Sequence, residues 1–120
     1  MYPELSYQLI GMMFDVGVSL GFGHKEKFYQ KALSQLFKEN NLKFKEQLPC
    51  KLYFKEKFIG IYYFDFLIED KIILEIKSKN FFSKQDIEQL YNYLKVQKLK
   101  LGIIAHFTRD QVKFKRVVNL

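Results

Sequence analysis

A chain of 120 residues is sized for one domain with a single core, and its 48% apolar content is too high for a disordered polymer. One cysteine, Cys50, excludes an intrachain disulfide and fits a reducing, cytoplasmic compartment; with only two histidines, it also argues against a structural zinc site. Twenty Lys and Arg against thirteen Asp and Glu leave a net charge of +7, which suits a polyanionic partner, nucleic acid first and an acidic membrane surface second, and equally suits a solubilising lysine surface.

Residues 5–20 read as a helix, with Leu9, Met12, Met13, Val16 and Leu20 at three- and four-residue spacing. Gly11 and Gly17 weaken it, and Gly21-Phe22-Gly23 ends it. Residues 9–23 hold Asp15 and four glycines and make a poor membrane span. The first four residues lack the basic region of a secretory signal. A second helix over residues 25–39 is expected to turn Phe28, Ala32, Leu33 and Leu36 inward and to stop at Asn40-Asn41. Residues 42–54 alternate, interrupted by Pro49, and predict an edge or bent strand. Lys55-Glu56-Lys57 predicts a polar turn.

The stretch from Ile61 to Asn80 organises the rest. Residues 61–68 and 72–76 predict two strands, apolar on both parities and therefore covered on both faces. Asp65, Glu75 and Lys77 interrupt this apolar run, and a buried charge needs a partner, a metal or an opening to solvent. Glu75 and Lys77 share a strand face. A two-residue loop at Glu69-Asp70 would set Asp65 opposite Leu74; a three-residue loop through Lys71, or a bulge, would set it opposite Glu75. Only the second register unites the carboxylates.

Further on, Ser83 with Asp86 three residues later marks a helix start, and Ile87, Leu90, Tyr91 and Leu94 form the inner stripe of residues 84–97. Gln89 and Tyr93 lie together along its edge. Residues 99–107 predict a buried strand and residues 112–118 an edge strand. The helix between residues 77 and 99 suits a crossover joining parallel strands, and a sheet with helices on both faces is the simplest packing.

The residues Gly23, Glu26 and Tyr29 form G-x-x-E-x-x-Y; Asp65 follows, then Glu75-Ile76-Lys77 as E-x-K, then Gln89 and Tyr93 as Q-x-x-x-Y. In this order the chain resembles the small GxxExxY proteins of the PD-(D/E)xK nuclease superfamily. It departs from their pattern at Gly17, Phe22, Tyr63 and Phe64, none of them a proposed ligand. The resemblance implies a restriction-endonuclease-like three-layer α-β-α core around a central mixed sheet. It implies a metal-dependent hydrolase acting on nucleic acid, with DNA favoured. Asp65 and Glu75 would hold Mg²⁺ or Mn²⁺ with the backbone carbonyl of Ile76, and Glu26 would complete or flank that shell. Lys77 would orient or stabilise the attacking water. Gln89 and Tyr93, with Tyr29, would hold substrate. A domain this small acting on duplex DNA would pair as a homodimer to reach both strands.

Plainer readings stand beside these. Asp65, Glu75 and Lys77 form a structural ion-pair network in one such reading. Glu26 is then an acid at a helix N-terminus, Gln89 and Tyr93 a polar helix rim, and His106 a core histidine. Lys113, Lys115 and Arg116 guard an edge strand or touch phosphates. A nuclease-fold module that binds nucleic acid or protein without cutting is the alternative function. An interaction subunit using the aromatic surface, 18% of the chain, is a third.

Overall fold

The computed structural model describes residues 1–120. Helix α1 spans Pro3–Leu20 and begins two residues before the expected start, because Pro3 occupies the first turn, where its missing N–H costs nothing. Gly17 does not weaken α1 in the way its composition suggests. A Cβ there would lie 2.9 Å from Val112 and 3.1 Å from the Phe22 ring, so the glycine admits close packing. Helix α2 spans Glu26–Glu39 and buries Tyr29, Leu33 and Phe37; of the expected inner residues Leu33 is buried, while the stripe is turned one residue away from Phe28, Ala32 and Leu36. Phe28 is exposed, and Ala32 and Leu36 pack only at the margin. Both stripes have helical spacing; the sheet selected the one with the larger rings.

Strands β1 (Phe44–Phe54), β2 (Lys57–Ile68) and β3 (Ile72–Lys77) form an antiparallel meander. Helix α3 (Lys84–Gln97) crosses over to β4 (Leu101–Phe107), which lies parallel to β3, and β5 (Val112–Val118) closes the edge antiparallel to β4. The order is β1-β2-β3-β4-β5, so the two strands read as edges are the edges. Lys55 and Glu56, both at positive φ, make a tight hairpin, and β2 begins at Lys57 rather than Ile61.

The sheet has a helical layer on each face. Under α1 and α2 lie Phe66, Ile68, Ile72, Leu74, Ile76, Leu101, Ile103 and Ala105. Under α3 lie Phe64, Ile73, Ile104 and Val117, with Leu90 and Leu94 of the helix itself. This is the mixed-sheet α/β sandwich that the sequence predicts. Leu90 sits so close to β4 that a Cβ on Gly102 would meet its side chain at 2.7 Å.

Phe64 and Phe66 are two positions apart yet pack on opposite faces. Strand alternation would place both on one. The change occurs at Asp65. No ladder pair joins Asp65 to the residue opposite, Gln47, which takes φ 54. The irregularity expected at Pro49 therefore falls two residues earlier, while Pro49 itself pairs with Tyr63.

Candidate active site at the fork between β2 and β3

Glu69, Asp70 and Lys71 form a three-residue connection, with Lys71 N–H donating to the Ile68 carbonyl. The β2–β3 ladder starts at Ile68 opposite Ile72 and ends after Phe66 opposite Leu74. One step further, that register brings Asp65 to Glu75. There the strands part: β2 continues beside β1, and β3 continues beside β4. The side chains of Asp65 and Glu75 fill the fork. Asp65 Oδ2 accepts from Ile76 N–H at 2.7 Å, and Glu75 Oε1 accepts from Asp65 N–H at 3.0 Å. Each carboxylate thus satisfies a backbone donor that the interrupted ladder leaves unpaired.

Both groups are buried, and Asp65 N–H to Glu75 Oε1 is the hydrogen bond between the two residues. Burial, then the charge of Glu75, pushes the Asp65 carboxyl up to about 8; the Ile76 N–H and the Lys77 ammonium pull only partly the other way. At neutral pH the Asp65 carboxyl therefore keeps its proton.

Two residues outside the sequence motif complete the constellation. Tyr62 donates its hydroxyl hydrogen to Glu75 Oε2 and accepts from Lys77 Nζ at 3.0 Å. The Lys77 ammonium is 3.7 Å from Glu75 and 4.0 Å from Asp86, so Tyr62 is the closest link between acid and base. Burial, reinforced by Glu75, raises the Tyr62 phenol, which keeps it a donor at any ordinary pH. Gln30, from α2, donates to Asp65 Oδ1. Neither residue carries a period or spacing that marks it in the sequence. Tyr62 reads as one aromatic among several, and the roll of β2 at Asp65 decides which way it points.

Other expected site residues are placed differently. Glu26 Oε1 accepts from Ser78 N–H at 2.9 Å and Ser78 Oγ at 3.1 Å, which ties the start of α2 to the end of β3. It does not join a three-carboxylate cluster, since no group of three or more His, Cys, Asp or Glu side chains converges on a point. Tyr29 is fully buried, stacked on Phe107 at 4.2 Å, and its hydroxyl donates to Gly21 O at 2.9 Å. It offers no surface to a substrate; it pins the glycine loop from beneath. Gln89 and Tyr93 line a groove of about 550 Å³ between α3 and β1. Tyr93 stacks on Phe64 at 4.5 Å, and Phe64 meets Tyr62 at 4.9 Å, so an aromatic chain runs from groove to carboxylates. On the other side a wholly polar groove of about 600 Å³ follows α2, lined by Lys27, Lys31 and Lys38 and by Gln30. Neither groove is lined by the carboxylates themselves; Gln30 links the polar groove to Asp65, and Tyr93, Phe64 and Tyr62 link the other to Glu75.

His106 lies in register with Lys77 on the parallel neighbour β4. Its Nδ1 is 2.8 Å from the Lys79 carbonyl and Nε2 has no hydrogen-bond partner. Burial holds its imidazole below the ordinary value. It is a neutral core histidine that anchors the segment after β3.

The sequence profile of the PD-(D/E)XK nuclease superfamily matches residues 3–117. The chain belongs to that superfamily. A solved structure, described as "Crystal structure of SSO0001", is similar at 20% identity with a TM-score of 0.56, over 78% of this chain and 49% of that one. That likeness shows the fold, and this chain spans about half the length of the other. No curated protein matches. Superfamily membership carries a nuclease architecture. No helix is long and apolar enough to cross a membrane.

The donor set suits a hard divalent cation. Burial and the neighbouring Glu75 hold Asp65 protonated, and a cation in place of that proton would offset the charge of both carboxylates. The Ile76 N–H faces the fork, and in an extended strand the carbonyl of the same residue faces the same edge.

Proposed function

We propose that this protein is a metal-dependent nuclease that hydrolyses phosphodiester bonds of nucleic acid, DNA in the first place. The observation that carries the reading is the buried Asp65–Glu75 pair, joined to Lys77 by the Tyr62 hydroxyl, at the fork of a superfamily sheet. Asp65, Glu75 and the Ile76 carbonyl would hold Mg²⁺ or Mn²⁺, with Glu26 flanking from α2. Bound there, the cation polarises a phosphoryl oxygen and lowers the pKa of a coordinated water. Lys77 Nζ offsets charge that builds on the phosphate oxygens. Tyr62 Oη fixes where that ammonium sits, and Gln30 fixes the Asp65 carboxylate. Gln89 and Tyr93 hold the substrate strand along the α3 groove, and the α2 lysines hold its backbone. The family pattern Gly23, Glu26, Tyr29, with Gln89 and Tyr93, supports placement among the GxxExxY proteins.

A second reading is supported by a specific observation. Every oxygen of the two carboxylates already accepts from the protein, namely Gln30, Ile76 N–H, Asp65 N–H and Tyr62, and Glu26 is held by Ser78. A binding module that retains the pair as a structural device would look the same. Calorimetric titration with Mg²⁺ and Mn²⁺, on wild type and Glu75→Ala, separates the two. Binding that the variant abolishes, together with cleavage of labelled DNA or RNA, supports the nuclease. Absence of binding with an oligonucleotide present supports the module.

A further inference from the structure

The β1–β2 ribbon reaches past the helical layers. On the α1/α2 side, the apolar cover of these two strands stops at Phe44, Phe66 and Ile68. Beyond Asp65 the ribbon turns Cys50 and Tyr62 toward α3. Their neighbours alternate to the other face; on the edge strand Pro49, Lys51 and Tyr53 also border the groove beside α3. Cross-strand pairs identify that face: Pro49 with Tyr63, Lys51 with Ile61, and Tyr53 with Phe58 after a register shift. Tyr63, Ile61, Tyr53 and Phe58 are 49%, 42%, 59% and 55% exposed, and the Tyr53 and Phe58 rings meet edge-on at 6.1 Å. An apolar strip of this kind on a free surface marks an interaction site.

We infer that this face of the ribbon is a docking surface for single-stranded nucleic acid, with unstacked bases lying on its aromatic rings. The inference rests on the nuclease reading and names the substrate form. Charge selects the occupant. Lys51 lies within the strip, and Lys55 and Lys57 flank the turn, against the single acid Glu56. A second copy of the ribbon laid on the first would bring lysines together, whereas a polyanion with flat apolar faces matches both features. A duplex keeps its base faces stacked inside and offers only phosphates to such a strip. Position points the same way: Tyr63 is two residues from Asp65 on the same strand, so a strand lying on the ribbon runs onto the carboxylate pair.

The test is fluorescence anisotropy in EDTA with a labelled oligothymidylate and a blunt duplex of equal length. Wild type should bind the single strand more tightly, with affinity that falls as salt rises. Tyr53→Ala/Phe58→Ala should weaken single-strand binding ~10-fold and leave duplex binding and the melting temperature unchanged. Tyr53→Trp should restore or improve binding in the single-site background. Unchanged single-strand affinity in the double variant overturns the inference while leaving the nuclease reading intact. So does a double variant that turns a dimer into a monomer without altering DNA binding, which assigns the strip to a second copy. No binding of either DNA form by wild type overturns both.

Discussion

Replacing Asp65 by Asn tests the raised Asp65 carboxyl directly. In the folded chain Asp65 titrates near 8, far above its ordinary value, because burial and Glu75 disfavour its charge. Below about pH 4 the group is protonated in both states and costs nothing. Between about 4 and 8 the folded state holds a proton that the unfolded state has released, so stability falls as pH rises; above about 8 the loss is complete. Integrated over that window the linkage has a ceiling of ~6 kcal/mol, and screening by Lys77 and by water at the fork brings the expected effect to ~2 kcal/mol. Asn keeps an acceptor for Ile76 N–H, can donate to Glu75, and carries no charge. Asp65→Asn should therefore match wild type near pH 4 and melt ~8 °C higher at pH 9, read by circular dichroism in parallel scans. Subtracting the two curves removes every other titrating group. Mg²⁺ should raise the wild-type melting temperature at pH 9 and leave the Asn variant unmoved. A wild-type curve whose slope equals the variant's across pH 5–9 would refute the protonated Asp65, and with it the reason for expecting a cation at this place.

Tyr62→Phe removes the hydroxyl between Glu75 and Lys77 and should lower cleavage ~10- to 100-fold with unchanged oligonucleotide affinity, as expected for a positioning residue. Tyr29→Phe loses the bond to Gly21 and should cost ~1 kcal/mol in urea unfolding without affecting oligonucleotide affinity; a selective loss of affinity would return Tyr29 to the substrate. Gly102→Ala forces a methyl against Leu90 and should destabilise by ~1–3 kcal/mol, with partial recovery on adding Leu90→Ala. His106 is held neutral by burial, so below about pH 6.5 the unfolded state gains a proton that the folded state resists, and stability falls on acidification; His106→Phe should flatten that limb in thermal scans.

Much of this protein was legible as sequence because it depends on local rules. Periodicity located α1, α2, α3 and the buried strands, Ser83 marked the start of α3, where its Oγ accepts from Asp86 N–H, and the crossover rule set β4 parallel to β3. Charges inside an apolar run singled out Asp65, Glu75 and Lys77, because burial makes such residues costly. Other features required the folded chain. Two hairpin registers were open to residues 61–76, and only the turn through Lys71 brought Asp65 to Glu75. Alternation alone would put Phe64 and Phe66 on one face; the break opposite Gln47 rolls β2 and thereby aims Tyr62 at the acid and the lysine. Gln30 comes from a helix thirty-five positions away, a distance no spacing rule spans. Tyr29 and Phe28 were equally good inner residues by period, and packing against Phe107 chose Tyr29. Composition and periodicity fix which residues must be buried, but where a buried charge finds its partner depends on register, twist and contacts between distant elements, and these exist only once the chain has closed on itself.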